Sequence, residues 1–379
     1  MKSTIFASLT AAVLCVIGWS AHAHHSRANF DLHTVIEIEG VVTEFTWRNP
    51  HTFATVDVVN EETGETEEWL IEMQSTAVLR RLGWTADILE PGQRVRVLGN
   101  PDVDESKRFI YLDDVITDRG VLWGEPPSSG FTTTAGELGG SGMPPPEVMQ
   151  RIMADMQRVS QGGASTDFTG TWLTSYGGAM NLHIENVFFD EEKYARPTPL
   201  GAEMLANFSH DDDPAYRCIP LSLPNMAQMP FASQYTRETI DGQEVLKIVY
   251  GYFNQERLIY LDKEEHPQDI EPSIEGHSIG RFEEDGQVLI VDTVGFAPHP
   301  WGNGRGLDGS DQKQVIENFR LVDEGTRIEY TSYTFDPVYL EEPLVRSVQY
   351  IYEPGREIEE FNCDEEASTR HLTLENDND

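Results

Sequence analysis

"TVIEIEGVVTEFTW", Thr34–Trp47, decides the fold. From Val35 to Trp47 apolar and polar side chains alternate, the period of a strand with one face in a core and one in water. "HTFATVDVVN" (51–60) is a second strand, "EETG" (61–64) is turn chemistry, and "ETEEWLIEM" (65–73) returns as a third. Then the period changes. "STAVLRRLGW" (75–84) places Ser75 as N-cap, Val78, Leu79 and Leu82 on one face, and Gly83 as a stop. "QRVRVLG" (93–99) and "RFIYLDDVI" (108–116) are two further strands. Three strands, a short helix and two strands is the order of a small five-stranded barrel of the oligonucleotide/oligosaccharide-binding (OB) kind. That architecture serves many ligands and names none.

Working outward, residues 24–125 form this OB-like module. Residues 126–166 are a Gly/Pro-rich linker around one amphipathic helix, "PEVMQRIMADMQRV" (146–159). Met149, Ile152, Met153 and Met156 recur there at helical spacing, and the stripe is expected to dock on its own domain. Residues 167–366 are strand-rich. "FTGTWL" (168–173), "EVLKIVYGYF" (244–253), "ERLIYLD" (256–262), "QVLIVDTVGF" (287–296), "QVIENFRLV" (314–322), "TRIEYTSYTF" (326–335) and "LVRSVQYIYE" (344–353) alternate or run apolar. Phe253–Glu256 and Val322–Gly325 read as hairpin turns. The expectation is a larger antiparallel, lipocalin-like β-barrel, for which Gly170-x-Trp172 on its first strand is a weak pointer. The fold class is therefore mainly all-β, and residues 367–379 read as a disordered acidic tail.

The first 23 residues read as a signal peptide. Lys2 is followed by an apolar run from Ile5 to Ile17 and a small-x-small site at Ala21-His22-Ala23. The run is too short to span a membrane, and no later one approaches the length needed. The expected location is periplasmic or secreted, with the mature chain starting at His24. In an oxidising compartment Cys218 and Cys363 read as a disulfide. Asp plus Glu number 65 against 27 Lys plus Arg, a net charge of −38. The small module alone carries nine basic and twenty acidic side chains. Such a surface repels phosphate backbones and excludes nucleic acid as a partner.

Three constellations carry candidate chemistry. Cleavage before His24 would give that residue a free amine beside its imidazole, a chelating pair that a second imidazole completes as an N3 set. That set suits copper(II) ahead of zinc. His51, in "WRNPHTF", is the expected partner, with His25 and His33 as alternatives. In the second, "IEGHSIGRFEEDGQVLIVDTVGF" (274–296), Asp292 lies in an apolar strand and is costly to bury unpaired. His277 or Arg281 is expected to pair with it across the hairpin, giving a His–Asp acid–base pair in a barrel mouth. A structural ion pair is the competing reading. The third is the loop "APHPWGNGRGLDGSDQK" (297–313), whose His299, Trp301, Arg305, Asp308 and Asp311 are the binding or catalytic side chains of a barrel-mouth loop. The chain lacks G-x-S-x-G, H-E-x-x-H, C-x-x-C, a P-loop and a dinucleotide fingerprint, so no nucleotide cofactor is expected.

"AHHS…FD", "GVVTEFTWRNPH" and "LRRLGW" together resemble a family of uncharacterised secreted bacterial proteins. "CIPLSLPNMAQMPF", "HPQDIEPSIEGHSIGRFE", "LIVDTVGF" and "FNCDEE" resemble a second uncharacterised bacterial family. The resemblance implies export and no activity. Members of the second often show a His-Pro-His-Ser type sequence after the Trp, where this chain reads Leu307-Asp308-Gly309-Ser310-Asp311. The functional expectation is an exported binding protein for a metal ion or small molecule. Copper sits at the mature N-terminus and a small, partly apolar ligand in the C-terminal barrel. The alternative is an isomerase, hydratase or lyase built on His277, Asp292, Arg281 and His299.

Overall fold

Strand β1 (Ile36–Thr46) is long enough to serve two neighbours. It pairs antiparallel with β4 (Arg94–Pro101) through Ile36–Val41 and with β2 (Thr52–Val59) through Gly40–Thr46, the latter across a bulge between Val42 and Glu44. β3 (Thr66–Met73) pairs antiparallel with β2 and parallel with β5 (Phe109–Ile116), which closes a five-stranded barrel. Helix α1 (Thr76–Arg81) falls between β3 and β4, and Ser75 caps it by accepting from Val78 N. The chain thus has the OB order read from its pattern. The computed structural model describes residues 29–125, 133–137, 142–175 and 196–374. The signal segment, His24 and His25 lie outside the described residues.

Alternation fills the small barrel. Val42, Val56, Ile71, Val95, Val97, Ile110 and Leu112 turn inward and are fully buried, with Leu79 and Leu82 of α1 beneath them. β6 (Val121–Trp123) extends the sheet beyond β5. After α2 (Thr134–Glu137) comes α3 (Pro146–Ser160), which docks Val148 and Ile152 on the small barrel. Gly83 is required there: φ is +80°, and a Cβ would meet the Val148 carbonyl oxygen at 2.8 Å. The methionine stripe divides. Met149 packs against the core, whereas Met153 and Met156 remain exposed.

The second barrel is built from β7 (Gly170–Ser175), β8 (Ala232–Ile240), β9 (Gln243–Tyr250), β10 (Glu256–Tyr260), β11 (His277–Glu283) and β12 (Val288–Val294). Helix α4 (Pro199–Asn207) lies between β7 and β8, and a separate ribbon of β13 (His299–Gly304) and β14 (Leu307–Gly309) follows β12. β15 (Gln314–Val322), β16 (Arg327–Phe335) and β17 (Leu344–Tyr352) return to β7, so nine strands close. All neighbours are antiparallel except β10 and β11, because the long connection between them returns the chain to run alongside rather than back. The tight turns joining β9 to β10 and β15 to β16 hold Phe253–Asn254 and Asp323–Glu324 at positive φ. Trp172 is buried and donates its indole N–H to Phe168 O at 2.8 Å.

Cys218 and Cys363 form a disulfide. Cys363 lies beyond the last strand of the large barrel, where its neighbours Asn362 and Asp364 pair with Asn49 of the small barrel at 3.1 and 3.2 Å. The disordered tail expected from residue 367 is also corrected. Helix α5 (Glu365–Thr369) and the turn after it are ordered to Leu374. Arg370 pairs with Glu44 and Glu68, while His371 and Leu374 cover apolar surface of the small barrel. The C-terminal segment finds a hydrophobic face that its own polar composition does not announce. No helix among the described residues is long and apolar enough to cross a membrane.

Candidate functional site

The seam between the barrels gathers more imidazole and carboxylate than either barrel's core. His51 lies just before β2, and its Nδ1 meets Glu72 Oε1 of β3 at 2.5 Å. Glu72 is 1% exposed, so a buried carboxylate fixes that ring. The edge of Tyr216 approaches His51 at 5.8 Å and His371 at 4.6 Å between ring centroids. His371 stacks on Phe109 and Phe53, at 5.5 and 6.3 Å. It is 3% exposed. Burial pushes its pKa down, against the pull of Glu72 and of a weak backbone contact with Ser368.

The described chain begins at this same place. Asn29 donates its side-chain N–H to Asp211 Oδ1 at 3.0 Å, and Asp211 acts electrostatically on both Tyr216 and His371. Beside them Asp213 caps the turn starting at Pro214, and burial pushes its carboxyl up. His210 is held down to about 4 by burial and then by the Arg305 guanidinium. The acidic run 210–213 is therefore part of the seam rather than a solvated loop. A cleft between the barrels is lined by Asn49, Arg80, Arg81, Phe231, Arg356 and Phe361. Among the described residues no group of three or more His, Cys, Asp and Glu side chains is arranged to hold a metal ion. His33 is exposed, with its backbone N–H on Asp31.

The His277–Asp292 pairing is corrected in three respects. Val291 and Thr293 turn into the barrel, so Asp292 and His277 face its outside rather than its mouth. Arg281 takes no part: it is 67% exposed and pairs with Glu283 at 3.0 Å. The groups are joined by His266, which the sequence reading missed. His266 Nδ1 meets His277 Nδ1 at 2.8 Å, and its Nε2 faces Asp292 Oδ2 at 3.7 Å. Gln314 donates to Asp292 Oδ1 at 2.8 Å, and Tyr260 stacks on His277 at 5.0 Å. Burial, then His266 and Lys263, push the His277 pKa down. His266 opens the string "HPQDIEPSIEGHSIGRFE" (266–283), but no period or ligand spacing marked it as a partner of His277.

The segment 297–313 is a packed ribbon, not an open loop. Trp301 and Arg305 are 8% and 9% exposed, Asp308 accepts the Trp301 backbone N–H at 3.0 Å, and His299 meets Pro220 O through Nε2 at 2.7 Å. Burial pushes the His299 pKa down. Asp311 is exposed and Asp308 is engaged, so they make no carboxylate pair. Beneath the ribbon Lys313 is 2% exposed. Its Nζ donates to Ser222 Oγ, to Leu223 O at 2.8 Å and to Gly302 O at 3.1 Å, and burial lowers its pKa to about 7.

The interior of the large barrel holds a paired charge. Arg257 donates to both carboxylate oxygens of Glu317, and also to Ser278 Oγ at 3.0 Å and Thr293 Oγ1 at 2.9 Å. Tyr330 donates to Glu317 Oε1 at 2.9 Å. Burial opposes the Arg257 charge, but Glu317 outweighs it and holds the guanidinium ionised. Tyr235, Phe319 and Tyr350 pack around the pair.

Comparison with known proteins adds little to this geometry. The model of a family of unknown function (DUF6152) matches residues 12–109, most of the small barrel. No curated protein matches. Among solved structures, a secretary abundant heat soluble (SAHS) protein from Ramazzottius varieornatus is 10% identical. The match covers 50% of this chain and 98% of that one, with a TM-score of 0.25, too loose to bear on function.

Proposed function

We propose that this protein is an exported binding protein that holds copper(II) at the seam of its two barrels, through the mature N-terminus at His24 and the imidazole of His51. The observation that carries the reading is the buried Glu72 on His51 Nδ1. Metal-binding histidines are commonly oriented by a carboxylate on the other ring nitrogen, which makes Nε2 the ligand nitrogen. Asn29 is pinned at the same seam, and the five residues back to His24 span up to about 17 Å of extended chain. The amine and imidazole of His24 with His51 make the nitrogen-rich, tetragonal set that copper(II) favours. The small ligand expected inside the large barrel would have to displace Arg257, Glu317 and the tyrosines packed around them, so the seam is the better site.

Protein cleaved at His24 is expected to take up one copper(II) with an electron paramagnetic resonance spectrum of nitrogen ligands. Acetylation of the α-amine and His51→Ala should each weaken binding by more than about tenfold, a loss of more than about 1.4 kcal/mol. Equal affinity in the acetylated and free forms overturns the proposal.

A further inference from the structure

The paired histidines on the outside of the large barrel are poorly explained as a structural contact. Two neutral imidazoles in the common Nε2–H form would set their Nδ1 lone pairs against each other, and two imidazoliums would set proton against proton. At 2.8 Å the contact requires one particular arrangement. Asp292 lies 3.7 Å from His266 Nε2, beyond hydrogen-bond reach but close enough for its charge to favour the proton on that nitrogen, which leaves the lone pair on His266 Nδ1 and makes His277 Nδ1 the donor. A metal ion between the rings removes this constraint, because both Nδ1 atoms then act as donors of lone pairs and the His277 proton resides on Nε2.

We infer that His266 and His277 form a second metal site, which takes a divalent transition-metal ion through the two Nδ1 atoms, with Asp292 orienting His266 from behind. The spacing selects the metal. Bonds of about 2.0–2.1 Å reaching nitrogens 2.8 Å apart enclose an angle of about 85–90°. That is a cis pair in tetragonal or octahedral coordination, whereas a tetrahedral pair lies about 3.3 Å apart at the same bond length. Copper(II) and nickel(II) fit this angle better than zinc. The Asp292 carboxylate stands 3.7 Å behind the His266 ring, where it would orient a bound imidazole, and Gln314 holds that carboxylate in turn. Tyr260 fixes the plane of His277 by stacking, so little side-chain freedom remains to be lost on binding. Water completes the shell.

The test uses the mature chain carrying His24→Ala, His25→Ala and His51→Ala, which removes every imidazole assigned to the seam and so isolates this site from the one proposed above. Titration with nickel(II) or copper(II) is expected to show one remaining equivalent. His266→Ala and His277→Gln, each in that background, should weaken it by more than about tenfold, and Asp292→Asn by about 10–100-fold. Unchanged circular dichroism and thermal transitions show that each variant folds. No uptake by the parent, or uptake that neither histidine substitution changes, overturns the inference. Failure at the seam is read separately, from whether acetylation changes binding in the chain that retains His24.

Discussion

The two barrels solve the same problem with different material. The small one closes five strands around mostly aliphatic side chains, with Val42, Val56, Ile71, Val97 and Leu112 meeting in its interior. The large one closes nine strands around a wider space. It fills that space with Trp172, Tyr235, Tyr250, Phe319, Tyr330 and Tyr350, and with the Arg257–Glu317 pair at the centre. Barrel diameter grows with strand number, so branched aliphatics that fill five strands cannot fill nine. Aromatic rings reach further, but their hydroxyls need partners, and the ion pair supplies acceptors and donors for them.

This contrast is most sharply broken at Glu317. Glu317→Ala leaves the Arg257 guanidinium buried without its counter-ion and should cost about 3–5 kcal/mol in urea denaturation. Replacing both partners, Arg257→Met with Glu317→Leu, should recover most of that loss, because apolar volume substitutes for a pair whose desolvation was already costly. If the double variant is as unstable as the single, the network does more than fill space.

A smaller effect separates the barrels from the seam. His210 and His371, and His299 at the start of the ribbon, are held below their ordinary pKa by burial, His210 to about 4. The unfolded chain takes up protons near pH 6.5 that the folded chain refuses. Their contribution to stability is therefore full above about pH 6.5 and falls as the pH drops toward 4. The thermal midpoint should decline through that window. His371→Phe, which keeps the stack on Phe53 and Phe109 but cannot take a proton, should flatten part of the decline. An unchanged pH profile would mean that His371 protonates in place.

The smallest effect is expected at Arg281. Its partner Glu283 is exposed with it, so Arg281→Ala should change stability by less than about 0.5 kcal/mol. A larger loss would restore it to the Asp292 group from which the structure removes it.

Much of the fold was legible in the strand pattern, because alternation reports which face of a strand is buried. The period of Ile36–Thr46, the cap at Ser75 and the turns at Phe253 and Val322 all state local requirements of the backbone. Less of the candidate site was legible. Asp292 was conspicuous for being a charge among Val and Ile, yet it faces outward, where burial is not the issue. His266 and His371 were inconspicuous, since each sits alone among polar residues. The loop 297–313 looked open because its glycines and charges suit solvent, but Asp308 accepts from the ribbon's own backbone and Lys313 donates to that backbone and to Ser222 and Leu223.

The sequence by itself determined two β-barrels, their order along the chain, the turns between strands and the cysteines available to bridge. These follow from periodicity and residue chemistry acting over a few neighbours. Only the tertiary structure decided which polar groups meet. Arg257 finds Glu317 across 60 residues, His266 finds His277 across 11, and the chain's last helix brings His371 back to Tyr216 and the small barrel. A strand's alternation fixes the side on which a residue lies but not its partner across a closed barrel. That partner depends on strand tilt, register and the path of the connections.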